Sequence, residues 1–146
     1  MPHDKVQKPA YIDPRITSFY ENFFRVTDDS SESAHAEYAN FVTKSGTLIF
    51  GTKKAIGYDQ ILDLRKSLWS GPVKTRKHTI KQIVPFGDDG EQVMLHGSVD
   101  YGLKNGKDVN VDWAARAVLA EEGGDLKMKE YQVYIDSAPV ANAAKH

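Results

Sequence analysis

His78 is the residue of this chain whose type and setting best suit it to move a proton. In Arg76-Lys77-His78-Thr79-Ile80, strand alternation sets His78 with Ile80 and Val84 on one face and Lys77, Thr79 and Lys81 on the other. An imidazole on the apolar side of a strand changes charge near neutral pH and can serve as general acid or base. A carboxylate beside it would orient the ring. Asp112 is one candidate, sharing a strand face with Arg116 opposite Val111, Trp113 and Ala115. The phase leaves open which of those faces points inward, so Asp112 and Arg116 are either pocket anchors or an ordinary cross-strand pair. Further on, Leu126 and Met128 have one parity while Tyr131, Val133 and Ile135 have the other. A β-bulge near Lys129-Glu130 would reconcile them and could aim Glu130 into a pocket, a solvated glutamate being the plainer alternative.

The phenols of Tyr20, Tyr38, Tyr101, Tyr131 and Tyr134 could donate to a carbonyl or a developing enolate, or act as amphipathic core residues. Phe24, Trp69 and Trp113 are expected to join Tyr20 and Tyr131 around an apolar ligand. Arg65 falls close in angle to Ile61 and Leu68, so its stem is expected to pack there while the guanidinium reaches solvent, an anion anchor being the alternative. Lys74, Arg76, Lys77 and Lys81 read as solvated or edge-protecting charges. His96 is out of phase with Leu95 and Gly97 and belongs on an outer face.

These residues need elements to hold them. Residues 1–12 lack periodicity and read as a flexible arm. Asp13-Pro14 is a helix start, with a carboxylate to accept from free N–H groups and a proline that sacrifices no hydrogen bond. Ile16, Phe19, Tyr20, Phe23 and Phe24 then form one aromatic stripe at helical spacing. Asp29 and Glu32 have capping-box spacing before a second helical period of Ala34, Tyr38, Phe41 and Val42. Thr47 to Gly51 begins a small hairpin, and a third helix carries Ile61, Leu64, Leu68 and Trp69 until Gly71-Pro72 stops it. From Thr75 the period becomes two, in four runs at 75–86, 91–103, 107–120 and 125–136 joined by glycine-containing turns. Runs this long must twist and curl. The tail 137–146 is small and polar and is expected to fray.

The 146 residues suit one domain, 13–136. With 40% hydrophobic residues the chain has enough apolar content for a core, and 19 basic against 20 acidic residues give a net charge of −1. No strong field recruits nucleic acid or an anionic membrane. The absence of cysteine excludes disulfides, thiolate metal sites and cysteine nucleophiles. No apolar run suits a signal peptide or membrane span, so a cytoplasmic location is expected. No phosphate loop, nucleophile elbow or HExxH occurs, and the five histidines are too dispersed for a linear metal motif.

The order of helix, helix, hairpin, helix and four long antiparallel strands predicts an α+β fold with helices on one face of a strongly curved, mainly antiparallel sheet. That order, with Phe19-Tyr20, Gly57-Tyr58-Asp59-Gln60-Ile61, Arg65 to Trp69, Arg76 to Ile80 and Tyr131 to Asp136, resembles the NTF2-like superfamily over residues 13–136. Within it the chain is most similar to the small fungal SnoaL-like proteins. The resemblance implies a cone-shaped pocket, homodimerisation through the outer sheet face and no obligatory cofactor. The scaffold hosts dehydratases, polyketide cyclases, isomerases, dehydrochlorinases and non-catalytic binding or transport modules. Members that eliminate water or hydrogen halide pair a histidine on this strand with an aspartate ending the first helix. The matching stretch is Thr27-Asp28-Asp29, in which the resemblance nominates Asp28. Family cyclases place acid/base residues on the long strands, a second ground for Asp112. The expected function is a lyase, isomerase or cyclase acting on a hydrophobic polyketide- or terpenoid-like molecule, with His78 moving the proton and Asp28 or Asp112 as its partner. The rival is a non-catalytic ligand-binding or dimerisation module.

Overall fold

A computed structural model describes residues 12–145, so all of the expected arm except Ile12 lies outside the described residues. Helix α1 (Pro14–Thr27) starts as its sequence dictates: Asp13 accepts from the backbone N–H of Arg15, and the whole aromatic stripe is buried. Helix α2 (Glu32–Asn40) is capped by Ser31 without a side-chain bond, while Asp29 accepts from the Ser31 N–H at 2.8 Å. That local turn takes the aspartate away from a capping box. Phe41 closes α2, and Val42, which fits the helical period, instead opens strand β1 (Val42–Phe50).

Gly51, at φ +61°, turns β1 into β2 (Lys53–Ile56), and Gly57 leads into α3 (Tyr58–Trp69). Four long strands follow: β3 (Val73–Phe86), β4 (Gln92–Leu103), β5 (Asp108–Glu122) and β6 (Asp125–Ile135). The sheet order is β2-β1-β6-β5-β4-β3. Every neighbouring pair is antiparallel except β1 with β6, which run parallel. The sheet is therefore mixed but mainly antiparallel, and α1, α2 and α3 cover its inner face as expected.

Among the register shifts of the sheet, two set which side chains near the site face inward. The predicted one is present: Val118 pairs with Glu130 and Leu119 with Met128, leaving Lys129 over, so Met128 and Tyr131 are both buried. A second, not foreseen, leaves out Lys81 between Ile80↔Gly97 and Gln82↔His96. His78 and Ile80 keep the inner face, but beyond the bulge Ile83 pairs with buried Leu95 while Val84 pairs with half-exposed Met94. Val84 therefore lies on the opposite face from His78, correcting the shared-face expectation.

At Gly97 β3 and β4 press close together. A Cβ there would overlap the Thr79 carbonyl oxygen and come within 3.1 Å of the Trp113 ring. The tail also departs from expectation: residues 138–144 form helix α4 (Ala138–Ala144), held where Asn105 donates to the Ala143 carbonyl at 2.9 Å. Alanines favour a helix, and Pro139 in its first turn costs no hydrogen bond.

Candidate active site

Asp28 ends α1 as its C-cap residue, and β3 runs past that end. Its carboxylate holds His78 twice: Oδ2 accepts from the His78 backbone N–H at 2.9 Å, and Oδ1 is 2.6 Å from Nδ1. The double grip fixes strand and ring together. A carboxylate can only accept, so Nδ1 carries the proton and the lone pair sits on Nε2. Nε2 makes no hydrogen bond among the described residues. The His78 side chain is 12% exposed and that of Asp28 21% exposed. The imidazole stacks on Phe24 at 5.1 Å and meets Trp113 edge-on at 5.8 Å. A histidine oriented by a carboxylate and walled by rings is the arrangement of a general base.

Two spaces adjoin this pair. An open groove of about 680 Å³ runs between α1 and β3, lined by Thr17, Glu21, Lys77 and Gln82 with Asp28 and His78. Inside the sheet lies a recess of only about 40 Å³, bounded by Tyr38, Arg65, Trp69, Arg76, Tyr101 and Tyr131. Phe24 and His78 line both. The expected spacious cone interior is therefore largely filled, because Phe19, Tyr20, Phe23, Phe24, Tyr38 and Phe41 pack ring to ring within it. The open space lies beside α1.

Phe24, Trp69, Trp113 and Tyr131, nominated to surround a ligand, line the recess. Tyr20 is fully buried, lines neither space, and its hydroxyl has no partner among the described residues. Asp112 is a correction: its side chain is 86% exposed on the outer face, 3.9 Å from Lys81. The reason is parity, since Trp113 points inward and donates to the Ser98 carbonyl. Arg116 and Glu130 pair with each other on the same outer face, so neither anchors a ligand in the recess. His96 also faces outward, bonded to Gln82 at 2.8 Å.

Sequence reasoning missed two arginines. Arg65, expected to reach solvent, is 2% exposed and caps the end of α1: its guanidinium donates to the carbonyls of Thr27, Val26 and Asp29, and Nε donates to His35 Nδ1 at 3.1 Å. The carbonyl-rich end of a helix favours a cation. Burial lowers the Arg65 pKa to about 10, leaving it charged at neutral pH. Arg76, read as a surface charge, has the inward parity of His78. It donates to the Leu68 carbonyl at the end of α3 and lies 4.4 Å from the centre of the Trp69 ring. Burial also lowers its pKa, opposed by the nearby Tyr101 hydroxyl. Burial pushes Tyr38 up to about 12 and raises Tyr101 and Tyr131, so the phenols keep their protons. The signal for Arg65 was its place in the middle of an apolar helical face; for Arg76 it was strand parity.

Among the described residues no cluster of three or more His, Asp or Glu side chains offers a metal site, and no helix is long and apolar enough to cross a membrane. No family model and no curated protein matches the sequence. Solved structures do. ActVI-ORFA from Streptomyces coelicolor superposes with a TM-score of 0.69 at 17% identity, over 84% of this chain and 96% of that one. Nuclear transport factor 2 from Cryptosporidium parvum gives 0.67 at 13%, over 89% and 98%. The chain has the NTF2-like fold. A hexachlorocyclohexane dehydrochlorinase, LinA type 2, shares that NTF2-like fold with a TM-score of 0.68 at 13% identity, over 84% of each chain. An enzyme and a transport factor thus stand equally near, so the fold alone does not choose a function.

Proposed function

We propose that this NTF2-like chain is a SnoaL-like acid–base enzyme, a lyase, isomerase or cyclase for a hydrophobic polyketide- or terpenoid-like molecule, in which His78 moves the proton. The observation that carries the reading is the Asp28 carboxylate 2.6 Å from Nδ1, with Nε2 left free beside the groove. Nε2 takes a proton from a carbon next to an electron-withdrawing group, and the released electron pair moves into that group. The proton then returns to another carbon, or the pair expels a leaving group. Asp28 keeps the tautomer and stabilises the imidazolium. The dehydrochlorinase among the structural neighbours is consistent with such chemistry. The outer sheet face is proposed as a homodimer contact, since Met94 and Tyr134 are exposed there at 37% and 46%.

A ligand-binding module without catalysis is the second reading, favoured by the small volume of the recess. Deuterium uptake from heavy water into aryl β-ketoesters, followed by NMR, separates the two. His78→Ala is expected to slow protein-catalysed uptake by about 10²–10⁴-fold while ligand binding persists. Equal uptake by wild type and variant overturns the enzyme reading.

A further inference from the structure

The recess behind His78 has an unusual lining: two guanidinium groups and no carboxylate. Arg65 has a carbonyl or ring nitrogen for each nitrogen of its guanidinium. Arg76 does not. Among the described residues its Nη1 is buried with no hydrogen-bond partner, although the Tyr101 hydroxyl lies nearby, and the buried Nε1 of Trp69, the ring against which it stacks, has none either. No carboxylate forms an ion pair with Arg76 among the described residues, and Asp28 is engaged with His78. Two adjacent N–H groups, one of them charged, are therefore left without an acceptor, which is costly in a native interior. The space beside them is about 40 Å³. That is room for one or two oxygen atoms, given that a water occupies roughly 30 Å³ in the liquid, and it is far too small for a polyketide-sized body.

We infer that this recess is an anion subsite: it takes an anionic oxygen, a carboxylate or enolate carried on an apolar body, between Arg76 Nη1–H and Trp69 Nε1–H. The body lies in the 680 Å³ groove between α1 and β3. His78 and Phe24, which line both spaces, stand where head and body join. The inference deepens the proposed acid–base function and rests on it for the role of His78, since an oxygen held here draws electron density away from the carbon that Nε2 would deprotonate. The ligand class narrows accordingly, from hydrophobic molecules in general to those presenting an acidic oxygen at one end.

The test compares 2-naphthoate with its methyl ester by isothermal titration calorimetry at pH 7.5, on the wild-type chain, Trp69→Phe, Arg76→Met and His78→Gln. Wild type is expected to hold the acid about tenfold or more tighter than the ester, the preference that a charge-assisted pair of donors supplies. Trp69→Phe keeps the ring and deletes only the N–H, so it remains informative if Arg76→Met does not fold. Both variants are expected to lose most of the preference, whereas His78→Gln retains it. Equal binding of acid and ester by wild type, or an undiminished preference in folded Trp69→Phe, overturns the subsite. Loss of deuterium uptake on His78→Ala together with equal binding of the two probes sinks the subsite alone. Acid preference with uptake indifferent to His78 supports the subsite and sinks the enzyme reading alone.

Discussion

The two inward histidines among the described residues have opposite partners. His35 accepts from the Nε–H of Arg65, so its lone pair at Nδ1 is consumed. His78 meets a carboxylate, so its Nδ1 proton is consumed and the lone pair at Nε2 is left over. One is an acceptor at the sealed end of α1, the other keeps a lone pair at the edge of an open groove, where the proposed function uses it as a base. The comparison teaches that burial does not make a histidine reactive; the charge sign of its first partner decides which face of the ring remains for chemistry.

Substitutions can break this comparison. The largest effect is expected from Asp28→Asn: an amide supports the wrong tautomer, and turnover measured by deuterium uptake should fall by about 10²–10⁴-fold. Unchanged turnover would show that Asp28 is no more than a helix-end cap. On the sealed side, Arg65→Met strands three backbone carbonyls and the His35 lone pair. It is expected to destabilise the fold by about 3–5 kcal/mol in urea unfolding, since buried acceptors left without a donor cost about 1–3 kcal/mol each and only some of them can relax toward water. Gly97→Ala drives a methyl into the Thr79 carbonyl on the strand that carries His78. A loss of about 1–3 kcal/mol is expected from such overpacking, and a midpoint equal to wild type would mean the two strands separate freely.

His35 should also make the fold respond to acid. Burial first, then the Arg65 charge, holds His35 below its ordinary value of 6.5. In the unfolded chain it protonates near that value, so the unfolded state binds more protons as pH falls. The contribution of neutral His35 is complete above pH 6.5 and is lost as pH drops through its lower native value. Urea midpoints from pH 7.5 to 5 should therefore decline more steeply in wild type than in His35→Gln; parallel curves would show that Arg65 does not depend on a neutral ring. The smallest effect belongs to Asp112→Asn, on the exposed outer face, where a change within about 0.5 kcal/mol is expected in the same assay.

Much of this was legible in the chain. The Asp13-Pro14 start, the aromatic stripe, the four long strands and the inward histidine follow from local rules, because each depends on neighbours within one or two turns or along one strand. Asp28 needed the family resemblance, since its partner is 50 residues away. Asp112 failed for want of an absolute phase: alternation groups residues into faces without saying which face is covered, and the inward ring of Trp113 decides it. Val84 failed because the Lys81 bulge leaves no mark in an apolar pattern. Arg65 and Arg76 failed because a long cation on an apolar face was read as reaching out, when the carbonyls at the ends of α1 and α3 supplied what solvent would have.

The grip of Asp28 has a consequence for how the molecule behaves in a crowd. β3 is one of the two edge strands of the sheet, and Oδ2 accepts from the His78 backbone N–H on the side away from β4. An open strand edge is a template on which another chain can add. The carboxylate occupies one rung of that template, in the stretch between Lys77 and Lys81 where the groove gives access. The residue that grips the imidazole thus also blocks one rung of that edge, and purified Asp28→Asn is expected to scatter more light than wild type as concentration rises.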